Sequence, residues 1–252
     1  MTARLAHIFR YPVKSIGGEE LAEVSLTAGA PLPGDRRFAV MHEAALQHLE
    51  GEDLRRWLPK SAFVRGVAAA PLQAISGGWD GKHLVLSHPD LPSLRFDPLR
   101  DEAALLDWLA PLWAPSGKAP AAKLVEAPQA LTDVNHPWLS ILSLSSLRDL
   151  EGRLGQPLGT RRWRANLWID GWDAYAERDM QLHRIRIGKT VVLKLTERIG
   201  RCDATSVDTA TGRIDVDMPQ ALQDRFWHKD FGIYAEVETG GTIRPGDEVE
   251  VL

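Results

Sequence analysis

Residues 183–196 read His-Arg-Ile-Arg-Ile-Gly-Lys-Thr-Val-Val-Leu-Lys-Leu-Thr. Gly188-Lys189-Thr190 matches the end of a phosphate-binding loop, but the glycine such a loop needs five positions before Gly188 is His183. Apolar residues alternate on both sides of Gly188-Lys189, with Ile185 and Ile187 before it and Val191, Leu193 and Leu195 after it. A period of two around a glycine-containing turn specifies a β-hairpin. The segment is therefore structural, and it sets the pattern for its neighbours.

Working outward, short apolar runs at 4–11, 21–26, 37–42, 67–75, 83–87, 167–170, 231–237 and 248–252 also read as strands. They are separated by turn signals such as Gly17-Gly18, Pro33-Gly34-Asp35, Gly77-Gly78-Trp79-Asp80-Gly81 and Pro245-Gly246-Asp247. Helical spacing occurs in three places. Asp101 can cap a helix carrying Ala104, Leu105, Trp108, Leu109 and Leu112; Ser143 or Ser145 can start one that ends at Gly155; a shorter one runs from Pro219 to Phe226. Three helices do not make a repeating βαβ pattern, so the expected class is mainly β with added helices, an α+β fold built on barrels. The stretch 114–128, rich in Ala and Pro, reads as a linker, which divides the chain into domains at 1–115 and 116–252.

The chain has 252 residues, a formal charge of −4 and one cysteine. A single thiol excludes an internal disulfide, a CxxC couple and a protein-held iron–sulfur cluster or zinc ribbon. Gross charge offers no reason to coat nucleic acid, and no apolar run is long enough for a membrane span or a signal peptide, so a cytoplasmic location is expected. GxGxxG, GxSxG and HExxH are absent, which removes dinucleotide, hydrolase and zinc-protease readings. His83 and His88, and the tryptophans Trp108, Trp113 and Trp168, fit structural positions.

Three features carry chemistry. Cys202 lies between Arg198-Ile-Gly-Arg201 and Thr205; it is either buried filler or, with positive charge beside its sulfur, a nucleophile or soft-metal ligand. Arg161-Arg162-Trp163-Arg164-Ala-Asn166 groups guanidiniums that suit a phosphate or carboxylate, or else form a solvated basic loop. Tyr11-Pro-Val-Lys14-Ser15 and Gly34-Asp35-Arg36-Arg37 present cations and a hydroxyl at strand edges.

In this order, and together with Leu142-Ser-Leu-Ser-Ser-Leu147, Asp208 to Gly212 and Phe231-Gly-Ile-Tyr234 followed by Gly241-Thr-Ile-Arg-Pro-Gly-Asp247, these pieces resemble the MOSC family. That family is named for the C-terminal domain of molybdenum-cofactor sulfurases and is often preceded by an N-terminal β-barrel domain. The resemblance implies two barrels enclosing a molybdopterin-type molybdenum cofactor, with Cys202 as the metal ligand. It further implies that Lys14, Ser15, Arg36, Ser143, Arg164, Asn166, Arg201 and Tyr234 contact the pterin or its phosphate. Among such relatives are the amidoxime-reducing components, so the implied activity is reduction of small N-hydroxylated substrates with electrons from an external donor protein. The alternative is a non-enzymatic carrier of the cofactor, or of sulfur as a persulfide on Cys202. Ala165 stands where reductases often have proline, the segment 44–64 matches no family motif, and the pyridoxal-phosphate domain of the sulfurases has no counterpart here.

Overall fold

The computed structural model describes residues 2–252. The first half of the chain forms β1 (Ala3–Arg10), β2 (Val24–Leu26), β3 (Phe38–His42), β4 (Ser76–Trp79), β5 (Leu84–His88), β6 (Leu91–Phe96), helix α1 (Glu102–Trp113) and β7 (Ala121–Glu126). The second half forms β8 (Leu139–Ser143), helix α2 (Leu144–Leu154), β9 (Leu167–Asp170), β10 (Arg184–Ile187), β11 (Val191–Gly200), helix α3 (Met218–Phe226), β12 (Asp230–Thr239), β13 (Gly241–Ile243) and β14 (Glu248–Val251).

The hairpin read from the sequence is β10–β11, with Ile185 opposite Leu193 and Ile187 opposite Val191. Those side chains point inward with Leu195 and are fully buried, while Val192, Lys194 and Thr196 alternate outward. From this hairpin a sheet extends in the order β9-β8-β12-β11-β10-β14-β1, and β1 pairs back onto β9 to close a seven-stranded barrel. Closure leaves no free strand edge in this ring. Inside are Leu5, Ile8, Ile141, Leu167, Ile169, Ile233 and Val237 with the hairpin residues. All pairs are antiparallel except β8–β9. A parallel pair cannot be joined by a tight turn, and α2 supplies the crossover. Ser143 caps it, its hydroxyl accepting from Ser146 N–H at 3.4 Å, and Gly155, at φ +71°, ends it.

The other unit has the three-stranded meander β4-β5-β6 and the ladder β3–β7. Both pack against α1 through Phe38, Val40, Leu72, Leu84, Phe96, Leu105 and Leu109. The mainly β fold with added helices is thus as the sequence implies. The chain passes repeatedly between the two units: β1 closes the barrel and β2 pairs with β13, burying Val24 and Leu26 in the barrel core, whereas β3 and β7 pair in the first unit. A division at 115/116 leaves β1, β2 and β7 on the far side.

Three local expectations are corrected. Residues 67–75 do not form a strand; Ala70–Ala74 are a 3-10 turn with Pro71 in its first turn, because proline has no N–H for a ladder and fixes φ near the helical value. Gly77–Trp79, read as a turn, belong to β4, where the partners Leu86, Val85 and Leu84 override the glycines' weak strand preference. The supposed linker contains β7, anchored by buried Leu124 and Val125. No helix among the described residues is long and apolar enough to cross a membrane.

One buried side chain ties the barrel closure together. Asn166 Oδ1 accepts from the backbone N–H of Ser140 at 3.1 Å and from its hydroxyl at 2.9 Å, and Nδ2 donates to Phe9 O at 3.3 Å, linking β1, β8 and β9. Leaving such groups unpaired costs about 1–3 kcal/mol each. Asn166→Ala should therefore lower the urea unfolding midpoint by the equivalent of about 2–3 kcal/mol with an unchanged slope. A loss of less than about 0.5 kcal/mol would show that the closure does not depend on this residue.

Candidate functional site

Where β1 leaves the barrel, its backbone continues into the first unit. Arg36 N–H donates to Tyr11 O at 2.6 Å, Phe38 N–H to Pro12 O at 3.0 Å and Lys14 N–H to Phe38 O at 2.8 Å. Tyr11 N–H donates to buried Asp35 Oδ1 at 2.8 Å, and its hydroxyl to Ala165 O at 3.2 Å. The ring is flanked by the guanidiniums of Arg164, 4.4 Å from its centroid, and Arg36, at 5.0 Å. Gly18 lies against the same ring: a Cβ there would come within 2.6 Å of it. The motif residues Tyr11, Asp35, Arg36 and Arg164 therefore form one joint between the units.

Beside this joint is a cavity of about 470 Å³. Lys14, Ser15, Arg36, Arg65 and Gln73 line it from the first unit; Arg162, Arg164, Asn166, Arg198, Arg201, Cys202 and Tyr234 line it from the second. Register shifts within β11, between Leu195 and Arg198 and again before Gly200, bend the end of that strand and turn Glu197 to Cys202 toward the cavity. Ser15, Arg36 and Arg164 have left-handed backbone, at φ +64°, +49° and +49°. Such residues cost of order 1–3 kcal/mol each and persist where the surroundings fix them.

The cavity is strongly cationic on a chain of net charge −4: Lys14, Arg36, Lys60, Arg65, Arg162, Arg164, Arg198 and Arg201 line it against Asp133 and Glu197. Several of these cations already have carboxylate partners. Lys14 donates to Asp133 at 2.7 Å, Arg36 pairs with Asp35, Arg162 grips Asp215 through two bonds of 2.7 Å, and Arg198 faces Asp179 at 3.5 Å. Arg164 and Arg201 form no ion pair among the described residues; they bond only backbone carbonyls. Arg164 donates to Gly17 O at 2.7 Å, and Arg201 to Phe231 O at 2.8 Å and Trp163 O at 3.1 Å. Burial pushes both guanidiniums down to about 10, with Arg36 repulsion adding to the effect at Arg164. Burial also pulls Lys14 down, against the pull of Asp133. The charge state is thus held at a cost that an anion would relieve.

Cys202, an exposed residue and the chain's one cysteine, lies on the wall next to Arg201. Its carbonyl accepts from Thr205 Oγ1 at 2.8 Å and Thr205 N–H at 3.0 Å, and Arg201 N–H donates to Lys229 O at 2.8 Å, which fixes the backbone on both sides of the sulfur. The buried-filler reading of this thiol is thereby set aside. Tyr234, paired with Ser140 across β12–β8, has its phenol raised by burial and then by Asp133.

Of the residues named from sequence, the structure brings Lys14, Ser15, Arg36, Arg164, Asn166, Arg201, Cys202 and Tyr234 to this cavity. Ser143 is not among them: it is fully buried, and its hydroxyl caps α2. Arg162 reaches the wall but is committed to Asp215. Lys60, Arg65, Gln73, Asp133 and Glu197 also line the cavity, and none lies in a motif that the sequence displays.

Because the folded protein holds Arg164 and Arg201 below their ordinary range, the cost of their charge is present in full at neutral pH. A bound anion that restores that range stabilises the fold by linkage. Inorganic pyrophosphate should raise the melting temperature relative to chloride at equal ionic strength, and Arg164→Met should weaken its binding at least ~10-fold. Equal stabilisation of the wild-type and variant proteins would show that the anion binds elsewhere.

The sequence matches the MOSC domain model over residues 130–250 and the MOSC N-terminal beta barrel domain model over residues 2–59. Human mitochondrial amidoxime-reducing component 1 is 34% identical over 128 residues, 46% of this chain and 37% of that protein. The mouse protein of the same name is 35% identical over 130 residues, 46% of this chain and 36% of its own length. Human mitochondrial amidoxime reducing component 2 is 32% identical over 123 residues, 44% of this chain and 36% of its own. The matched stretch spans little more than a third of these relatives. Two solved structures give looser likenesses. The YUAD protein from Bacillus subtilis has 13% identity and a TM-score of 0.47, covering 100% of this chain and 96% of that one. YiiM from Geobacillus stearothermophilus has 19% identity and a TM-score of 0.36, covering 45% and 53%. With a MOSC domain in its second half and the matching beta barrel domain ahead of it, the chain belongs to the MOSC family.

Proposed function

We propose that the protein is a molybdenum-cofactor-dependent oxidoreductase that reduces N-hydroxylated compounds, with Cys202 as the protein's ligand to the metal. The observation that carries this reading is the juxtaposition, in one cavity, of a lone exposed thiol and two half-buried guanidiniums without carboxylate partners. A molybdopterin offers what these groups lack: a phosphate for the cations and a sulfur-rich metal for a soft thiolate. Among the described residues no group of three or more His, Cys, Asp or Glu can hold a metal ion, so a metal here needs further ligands from the bound molecule.

In this reading Arg164 and Arg201 take the anionic end of the cofactor, assisted by the remaining donors of Lys14 and Arg36. Ser15 and Tyr234 offer hydroxyls at the wall, and Asn166 acts from beneath by holding β1, β8 and β9 in register. Bound there, the cofactor supplies a two-electron couple. The net reaction consumes two electrons and two protons for each N–OH converted to N–H and water. The arginines bind the ligand's negative charge and, staying protonated at neutral pH, relay no protons. This chain has no second cysteine for an iron–sulfur cluster, so the electrons come from an external donor protein. The relatives' names, amidoxime-reducing components, support the same substrate class.

The test is metal and pterin analysis of protein purified from a cofactor-replete host, together with turnover of an amidoxime using an artificial reductant. The wild-type protein should carry molybdenum and pterin in comparable amounts and consume the amidoxime. Cys202→Ser should retain most of the pterin and lose at least ~10-fold in both molybdenum and turnover. Pterin or sulfane sulfur on Cys202 without turnover would identify the carrier role instead. Absence of both metal and pterin from the wild-type protein would overturn the cofactor reading.

A further inference from the structure

Gln73 lies in the 3-10 turn Ala70–Ala74, between Leu72, fully buried in the core of the first unit, and Ala74, also buried. It is itself only 5% exposed, yet it lines the cavity. Its amide makes no hydrogen bond among the described residues and reaches the cavity. On a side chain otherwise packed in the core, a donor and an acceptor left open at a cavity wall suit a partner outside the chain. The amide also has a dedicated seat. A Cβ on Gly66 would stand 1.7 Å from Gln73 Nε2 and 2.7 Å from its carboxamide carbon, so residue 66 has no side chain where Gln73 lies.

The small niche that Gln73 and Arg164 share with Arg161 is about 30 Å³, room for one water. Anything larger that meets Gln73 does so in the main cavity. The cations on that wall are donors only and read the charged parts of a ligand. Two carboxamides line the cavity. The oxygen of Asn166 is taken twice by Ser140 and its nitrogen donates to Phe9, whereas Gln73 has donor and acceptor both free. A carboxamide presents these side by side in one plane, which complements an edge bearing an N–H next to an acceptor nitrogen or oxygen.

We propose that Gln73, seated on Gly66, recognises an amidine- or amide-type edge of the molecule bound in the cavity. Under the function proposed above, on which the naming of the sources rests, that edge belongs either to the pterin ring or to an amidoxime substrate. The recognition itself does not depend on that reading.

Gln73→Leu keeps the volume and removes no internal hydrogen bond, so its melting temperature should equal or exceed that of the wild-type protein. Gly66→Ala, whose new Cβ meets the movable end of Gln73, re-aims the amide and serves as the second variant. In the first arm, pterin-6-carboxylate and naphthalene-2,6-dicarboxylate, anions with and without the edge, are titrated into cofactor-free protein. In the second, cofactor-loaded protein is assayed with an amidoxime and with a tertiary amine N-oxide, which lacks N–H. If the edge is the cofactor's, both variants bind pterin-6-carboxylate at least ~10-fold more weakly with the dicarboxylate unchanged. If it is the substrate's, pterin binding is unchanged and KM rises at least ~10-fold for the amidoxime but not for the N-oxide. Unchanged binding and kinetics in both arms, or equal weakening of both probes, would overturn the proposal. Failure of the wild-type protein to carry pterin in cells would overturn the oxidoreductase reading, and the first arm would then decide on Gln73 alone.

Discussion

Positive charge held half-buried without a carboxylate partner is the constraint around which this molecule is arranged. Arg164 and Arg201 are held by backbone carbonyls alone, and a carbonyl satisfies an N–H without neutralising the charge. Such an arrangement survives only where the surrounding structure is rigid enough to impose it. The barrel supplies that rigidity: β1 closes it, Asn166 locks the closure, and the chain leaving that strand sets the Tyr11 ring against two guanidiniums. Fold and site therefore share their framework, since the residues that complete the sheet also hold the cations in place.

The left-handed conformations of Ser15, Arg36 and Arg164 belong to this account. All three line the cavity, and two of them are held by each other's groups. Arg36, for example, donates to Arg164 O at 2.9 Å and is braced by Asp35. Uncompensated charge, three left-handed residues and the open amide of Gln73 meet at one cavity, while Tyr175, Leu182 and Trp227 take left-handed backbone elsewhere. Away from the cavity the strands alternate, Ser143 and Gly155 stand at the ends of α2, and Pro219 lies in the first turn of α3.

How much of this was legible in the sequence depended on whether the signal was local. The β10–β11 hairpin and the ends of α2 were readable because alternation and capping are encoded within a few residues, whereas Asp101 precedes α1 without capping it, its carboxylate accepting from Asp97 N–H instead. The basic and cysteine-containing segments were readable as ordered motifs, and the fold brings them to one wall. Ser143 misled because a hydroxyl at a strand end suits a ligand and a helix cap equally well, and only tertiary packing shows which. Residues 67–75 misled because an apolar run resembles a strand; with Pro71 in a 3-10 turn, Gln73 faces the cavity instead. Lys60, Arg65 and Asp133 were invisible because they sit in irregular segments whose positions are set by contacts distant in sequence. Strand β7 was hidden by its weak alternation and appears only through its pairing with β3.

In the function proposed here, the seam between barrel and first unit is an anion site with Cys202 as the one protein sulfur offered to a metal. Anomalous scattering from crystals of cofactor-loaded protein, recorded on both sides of the molybdenum absorption edge, tests this most directly. The expected result is a single edge-dependent peak within bonding distance of Cys202 Sγ, with phosphate density against Arg164 or Arg201. A peak remote from Cys202, or pterin density outside this cavity, would contradict it.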